Sequence, residues 1–171
     1  MIWGIWVNIK HIRFVQDQVD NLNQFKKAAK QITPIILKNL KIDSFSRVGN
    51  RFLYVMPLEN IEEGLEIIRK NKLIEIPEEK LKLFGENPNK TNFVLYIKDG
   101  DFQYRTEITT IERVEKEVIG KIDEKYFPKF GIRFDMDFAK ISKVEASNFV
   151  YDEFIQRNYK FLENNLIKLI R

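Results

Sequence analysis

Two short patterns hold most of the polar chemistry in this sequence. In Arg47-x-Gly49-x-Arg51, two guanidiniums and a glycine share one face of an extended segment, because side chains alternate sides along a strand. Such a face can clamp a carboxylate or another anion through paired N–H donors, with the glycine letting a partner approach the backbone. The plainer reading is a cross-strand ladder, the arginines pairing with acids such as Glu107, Asp135 or Asp137. Asp135-x-Asp137 places two carboxylates about 7 Å apart on one strand face. With further ligands they would take a hard cation, or they would work as an acid/base pair. Nothing nearby completes a ligand set and Arg133 shares the face, so a solvated or salt-bridged pair is expected.

The remaining catalytic kit is sparse. The chain has no cysteine, one histidine and no glycine-rich phosphate loop. His11 stands beside Lys10 and Arg13, whose charges disfavour its protonated form, and no carboxylate or cysteine motif accompanies it. No catalytic residue, metal site or cofactor is therefore expected. Trp3 and Trp6 fall on opposite faces of one strand, so both cannot fill the same core. Either one is an anchor for another chain, or both faces are covered internally. Tyr96, Tyr104, Tyr151 and Tyr159 read as core or rim, with a pocket beneath the last helix as the alternative.

The elements that must position these residues follow from periodicity. Residues 2–9 alternate as a strand that is apolar on both sides, which predicts a central or covered position. Leu22, Phe25, Ala29, Ile32 and Ile36 give residues 19–40 one helical stripe, interrupted at Pro34. Residues 47–55 alternate as a strand. Asn60 and Glu63 then mark a helix start, followed by Ile61, Leu65 and Ile68 on one side. One more turn is expected at 77–83, and 84–92 reads as a surface loop. Residues 93–98 and 102–109 form a hairpin about Lys98-Asp99-Gly100-Asp101. Thr109-x-x-Glu112 has the form of a helix start, with Ile111, Val114, Val118 and Ile122 behind it. Residues 131–138 alternate as a half-buried strand. A long helix over 148–170 is expected from Ser147 as N-cap, with Val150, Phe154, Phe161, Leu162, Leu166, Leu169 and Ile170 as its apolar stripe.

This order predicts one α+β domain over residues 1–171. It would hold a single, largely antiparallel sheet of four to five strands, with helices packed on one face and a long C-terminal helix. At 171 residues, 44% of them hydrophobic and fourteen of them Phe, a proper core can form. Twenty lysines and nine arginines against 25 acids leave a net charge of +4. The lysines are scattered, as on a solvated surface, rather than gathered into a nucleic-acid stripe. Without cysteine there is no disulfide framework. No membrane span or cleavable leader is read, so a cytoplasmic location is expected.

Arg47-Val48-Gly49-Asn50-Arg51-Phe52-Leu53-Tyr54 resembles the Arg-hydrophobic-Gly-x-Arg-Tyr-Ile-Asn signature of a sporadically distributed family of bacterial and archaeal proteins without an established activity. Asn50 stands where that family has an apolar residue, and Leu53-Tyr54 stands for Ile-Asn. A preceding helix, a late aspartate-bearing strand and a long closing helix also match in order. The resemblance implies a fold and no reaction. The function expected is a non-enzymatic protein-interaction module, chaperone-like or regulatory, acting on a protein partner or as a homo-oligomer. Its candidate binding residues are Trp3, Trp6, Arg47, Gly49, Arg51, Asp135 and Asp137. The alternatives are a small apolar ligand held between sheet and closing helix, and nucleic-acid binding through the lysines.

Overall fold

The computed structural model of the chain describes residues 2–7, 12–17, 22–73, 77, 80, 92–113, 128–148 and 150–169. In chain order the elements are β1 (Ile2–Val7), β2 (Ile12–Asp17), α1 (Leu22–Leu40), β3 (Ser44–Phe45), β4 (Val48–Leu58), α2 (Ile61–Lys70), β5 (Asn92–Asp99), β6 (Phe102–Glu112), β7 (Phe130–Lys140), β8 (Val144–Glu145) and α3 (Tyr151–Leu169). The chain is α+β. It groups into two compact units, Met1–Arg47 with Ser142–Tyr159 and Val48–Ile141 with Lys160–Arg171, so α3 is divided between them after Tyr159.

The second unit carries an antiparallel four-stranded sheet in the order β4-β7-β6-β5. Alternation along β7 sends Ile132, Phe134, Met136 and Phe138 to one face, where each is 4% exposed or less. Ile108 of β6, Ile68 of α2 and Leu162 of α3 complete that core, and Phe52, Met56, Phe93 and Tyr104 pack at its edge. Each fully buried side chain of this kind contributes about 1.5–3 kcal/mol. Helices therefore lie on one face of the sheet, as the pattern predicts.

The caps of α2 explain its span. Asn60 Oδ1 accepts the Glu63 N–H at 2.9 Å, and Glu63 Oε2 accepts the Glu59 N–H at 3.0 Å. The helix closes with Lys72 at φ 52°, Lys72 N–H donating to Arg69 O and Leu73 N–H to Ile68 O. Gly64 lets it ride low on the sheet. A Cβ there would stand 3.0 Å from Leu58 Cδ1 and 3.1 Å from Thr110 Cγ2.

In the first unit β1 and β2 form an antiparallel hairpin, with Ile2 opposite Asp17 and Val7 opposite Ile12. Helix α1 runs unbroken through Pro34. Lys26 on α1 donates to Gln156 Oε1 at 2.9 Å and pairs with Asp152 Oδ1 at 3.2 Å on the first part of α3. Ala29, Phe154, Ile155 and Asn158 are buried here. Strands β3 and β8 make a short second ladder.

Four expectations are corrected. The first strand is not in the main sheet, since its partner is β2, whose residues the sequence pattern had passed over. Residues 109–112 continue β6 instead of opening a helix. Ile108, Thr109, Thr110 and Ile111 are all β-branched, which favours the pleated surface, and Thr109 and Thr110 are buried opposite Arg133 and Ile132. The capping pattern Thr109-x-x-Glu112 is thus overridden by sheet pairing. Helix α3 begins at Tyr151, because Ala146–Asn148 is spent on a 3-10 turn, so Ser147 is not its N-cap and Val150 stays 53% exposed. Finally, β4 starts at Val48, which leaves Arg47 outside the strand. His11, the helix expected to run on through Val114, Val118 and Ile122, and residues 84–91 of the loop lie outside the described residues. Of the turn expected at 77–83 only Pro77 and Lys80 are described, joined by a Lys80 N–H bond to Pro77 O at 2.9 Å.

Candidate functional site

The register of the main sheet assembles a charged face opposite the core. Across one row stand Tyr96, Arg105, Asp137 and Arg51, and across the next Val94, Glu107, Asp135 and Leu53. Arg133 follows in the third row, between Thr109 and Val55. Arg51 grips Asp135 with both ends of its fork, Nε to Oδ1 at 2.6 Å and Nη2 to Oδ2. Arg105 Nη1 lies 3.7 Å from the same carboxylate, and its Nη2 donates to Glu107. Arg133 Nη2 donates to the other Glu107 oxygen at 3.0 Å. Arg105 Nε reaches the Tyr96 hydroxyl at 3.4 Å, and its guanidinium carbon stands 6.0 Å from the Tyr96 ring centre.

Burial differs sharply along this chain of ions. The Asp135 side chain is 2% exposed, whereas that of Arg51 is 48% exposed. Burial pushes the Asp135 carboxyl upward, but Arg51 first, then Arg105 and Arg133, outweigh it and hold the group below the usual carboxylate range. Glu107 is also held low, chiefly by its bond from Arg105. Arg51 is raised by its bond to Asp135, and Arg105 by its bonds to Tyr96 and Glu107. Every shift deepens the charge that the group already carries at neutral pH. The result is a clasp across β4, β7 and β6 in which Asp135, Glu107, Arg51 and Arg105 are each held in the charged form. Among the described residues no cluster of three His, Cys, Asp or Glu side chains can hold a metal.

The sheet ends differently at β5. Val94, Leu95, Tyr96 and Ile97 are 38%, 42%, 74% and 45% exposed, so four consecutive apolar or aromatic residues face water from both sides of one strand. Strand β5 pairs with β6, and no described strand lies beyond it. The hairpin shows which of its backbone groups are unpaired within the sheet. Its loop is Gly100-Asp101, with Gly100 at φ 55° and Asp99 opposite Phe102. A positive φ at the first central position and none at Asp101, the second, marks a type II′ turn, closed by a hydrogen-bonded flanking pair. From there the pairing alternates, so Asp99, Ile97, Leu95 and Phe93 bond to β6. Lys98, Tyr96, Val94 and Asn92 direct their N–H and C=O groups outward.

The expected site residues do not form one site. Arg51, Asp135 and Asp137 share the charged face, as the cross-strand reading held. Gly49 is half-buried opposite Ala139, and Arg47 is exposed in the other unit. The backbone of Trp3 and Trp6 lies in β1, and their side chains are outside the described residues. Tyr104 fills space instead of lining it, stacked on Phe161 at 5.4 Å and edge-on to Phe138 at 5.5 Å. The Phe93–Ile97 run was legible as a strand, but its place at a sheet edge was not. An apolar run without alternation reads equally as a buried strand. Comparison with protein-family models, curated proteins and solved structures gives no match. Among the described residues no helix is long and apolar enough to cross a membrane.

Proposed function

We propose that the protein is a non-enzymatic interaction module of the cytoplasm that binds protein partners by strand addition along β5. One observation carries the reading: an edge strand with four adjacent apolar or aromatic residues exposed and a row of outward backbone donors and acceptors. Natural sheets blunt such edges with charge, proline or a covering element unless the edge is used. An added strand would take its affinity from main-chain hydrogen bonds and its specificity from alternate side chains. The charged face supports the same reading, since its acids and arginines are engaged with one another. An apolar ligand beneath the closing helix finds Tyr104 and Phe161 stacked together there. Membership of the family that Arg47–Tyr54 resembles belongs to this proposal and adds no reaction to it.

Selection of displayed extended octapeptides on the immobilised protein tests the reading. Enriched peptides are expected to lose binding to Val94→Pro, which removes one outward N–H without removing a bond to β6, and to keep binding to Lys143→Ala, an exposed site of the other unit. No enrichment, or binding indifferent to Val94→Pro in a protein of unchanged melting temperature, would overturn it.

A further inference from the structure

The open edge also specifies a partner. We infer that a second copy of this chain adds to β5, the two β5 strands pairing antiparallel about a two-fold axis at Leu95 to make one continuous eight-stranded sheet. The inference rests on the strand-addition reading above and deepens it.

The argument is one of register. A two-fold axis perpendicular to a sheet pairs each residue with one of the same parity, so sides of the sheet are preserved and only certain centres are allowed. The outward-bonding residues are Asn92, Val94, Tyr96 and Lys98, and their midpoint is Leu95. Centred there, Val94 meets Tyr96 of the other copy and Asn92 meets Lys98, all as hydrogen-bonded pairs. Every outward N–H and C=O of the strand is then satisfied. Between them, Leu95 meets Leu95 and Phe93 meets Ile97 as close, non-hydrogen-bonded pairs. Apolar residues therefore face apolar residues, and no two like charges are opposed. Lys98 and Asp99 fall at the ends of the ladder, clear of their copies.

Shifting the centre to Tyr96 is worse on each count. Val94 would face Lys98, and Asn92 would face Gly100, which lies in the turn beyond the strand. Three hydrogen-bonded pairs would then remain within the strand instead of four. Only the centre at Leu95 pairs all four outward residues with one another, and in that register the exposed run Val94–Ile97 is covered by its own image. The other edge of the sheet has no such match. Pro57 interrupts its donors, and Arg51 is committed to Asp135.

The absence of cysteine makes the register directly readable. In a non-hydrogen-bonded antiparallel pair the Cα atoms stand about 4.5 Å apart, within reach of a disulfide, whereas diagonal neighbours at about 7–8 Å are not. In a redox buffer with oxidised glutathione as electron acceptor, Leu95→Cys is expected to give a covalent dimer, and Tyr96→Cys to remain uncrosslinked. Sedimentation equilibrium should show a concentration-dependent dimer of the natural chain. Leu95→Lys, which opposes like charges at the axis, should weaken it about tenfold or more. Asn92→Asp, which places a carboxylate opposite Lys98, should tighten it several-fold.

A chain that stays monomeric at millimolar concentration, with Leu95→Cys uncrosslinked, overturns self-pairing. If peptides selected on it still depend on Val94, strand addition stands and only the identity of the partner falls. If they do not, both readings fall. A dimer indifferent to Leu95→Lys and to Asn92→Asp overturns the inference as well, because it would form elsewhere.

Discussion

The two edges of the main sheet are built from the same kind of chain and secured in opposite ways. On β4, Phe52, Met56 and Leu58 reach the core, while Arg51 ties the other face to β7 through Asp135. That strand is anchored on both faces, although Leu53 and Tyr54 are 63% and 47% exposed, and Pro57 breaks its outer row of donors. On β5, Phe93 alone among the odd-numbered residues packs against the core cluster, and Leu95 and Ile97 remain in water. Its charged-face neighbour, Tyr96, holds a single long bond from Arg105. The difference teaches that edge position by itself does not define a docking strand. An edge closed by a clasp and a proline is structural, whereas one with outward donors and uncovered apolar side chains is incomplete. Substitutions on the β4 side should therefore cost stability and leave association alone, and those on β5 should do the reverse.

The largest expected effect is at Asp135. Asp135→Ala leaves Arg51 without its bidentate partner and Arg105 with a weaker field. Removing one member of a fully buried pair costs about 3–5 kcal/mol. Because Arg51 is half exposed and can recover water, a loss of about 2–3 kcal/mol in urea unfolding is expected, with the dimerisation constant unchanged. If stability moves by less than about 0.5 kcal/mol, the clasp does not secure β4 and the contrast between the edges breaks. Gly131→Ala tests the same seam sterically. Gly131 faces Pro57, and a Cβ there would stand 2.7 Å from Met56 O and 2.8 Å from Val55 Cγ1. The obstacle is partly backbone, so about 1–3 kcal/mol of destabilisation is expected in the same assay.

Acid should loosen the β4 side by a smaller step. Asp135 and Glu107 have folded pKa values below their ordinary ones, so the folded state favours their ionised forms. Their contribution is complete above the unfolded values near pH 4 and is lost as pH falls through the depressed folded values. Unfolding free energy measured from pH 6 downward should therefore decline below about pH 4, and Asp135→Asn should flatten that decline. A decline of equal slope in Asp135→Asn would assign the acid response to other carboxylates.

The legible parts of this fold were those where one local signal and one burial pattern agree. β7 was readable because Phe134, Met136 and Phe138 alternate with Arg133, Asp135 and Asp137, although the polar face is closed over by ion pairs and Asp135 is buried where a half-buried strand was expected. α2 was readable because Asn60 and Glu63 act within four residues of each other. Thr109–Glu112 misled because a capping pattern is a local preference, and pairing with β7 along the whole of β6 is worth more. The arginine–aspartate bond could be anticipated in kind but not in partner. Register places Arg51 opposite Asp137, yet the long side chain reaches the diagonal Asp135, and only coordinates fix that choice. The open edge was hidden for a different reason. Strand order is a non-local property, and nothing within Phe93–Ile97 says whether its far side meets another strand or water.

The smallest expected effect sharpens the comparison most. Leu95 is 42% exposed in the single chain, so Leu95→Ala removes little buried surface there, and surface changes of this kind stay within about 0.5 kcal/mol. In dilute solution, where self-pairing would be dissociated, its unfolding curve should superimpose on that of the natural chain. At high concentration the natural chain should gain stability from mass action and Leu95→Ala should gain less, since any species that binds only the folded state raises apparent stability with its concentration. The amides tell the two edges apart within one molecule. Val94 and Tyr96 N–H should exchange with deuterium quickly in dilute protein and slowly in concentrated protein, whereas Leu95 and Ile97 N–H, bonded to β6, should be protected at both concentrations. Protection of Val94 and Tyr96 that is already high in dilute protein would mean that something within the chain covers β5, and the contrast between the two edges would be lost.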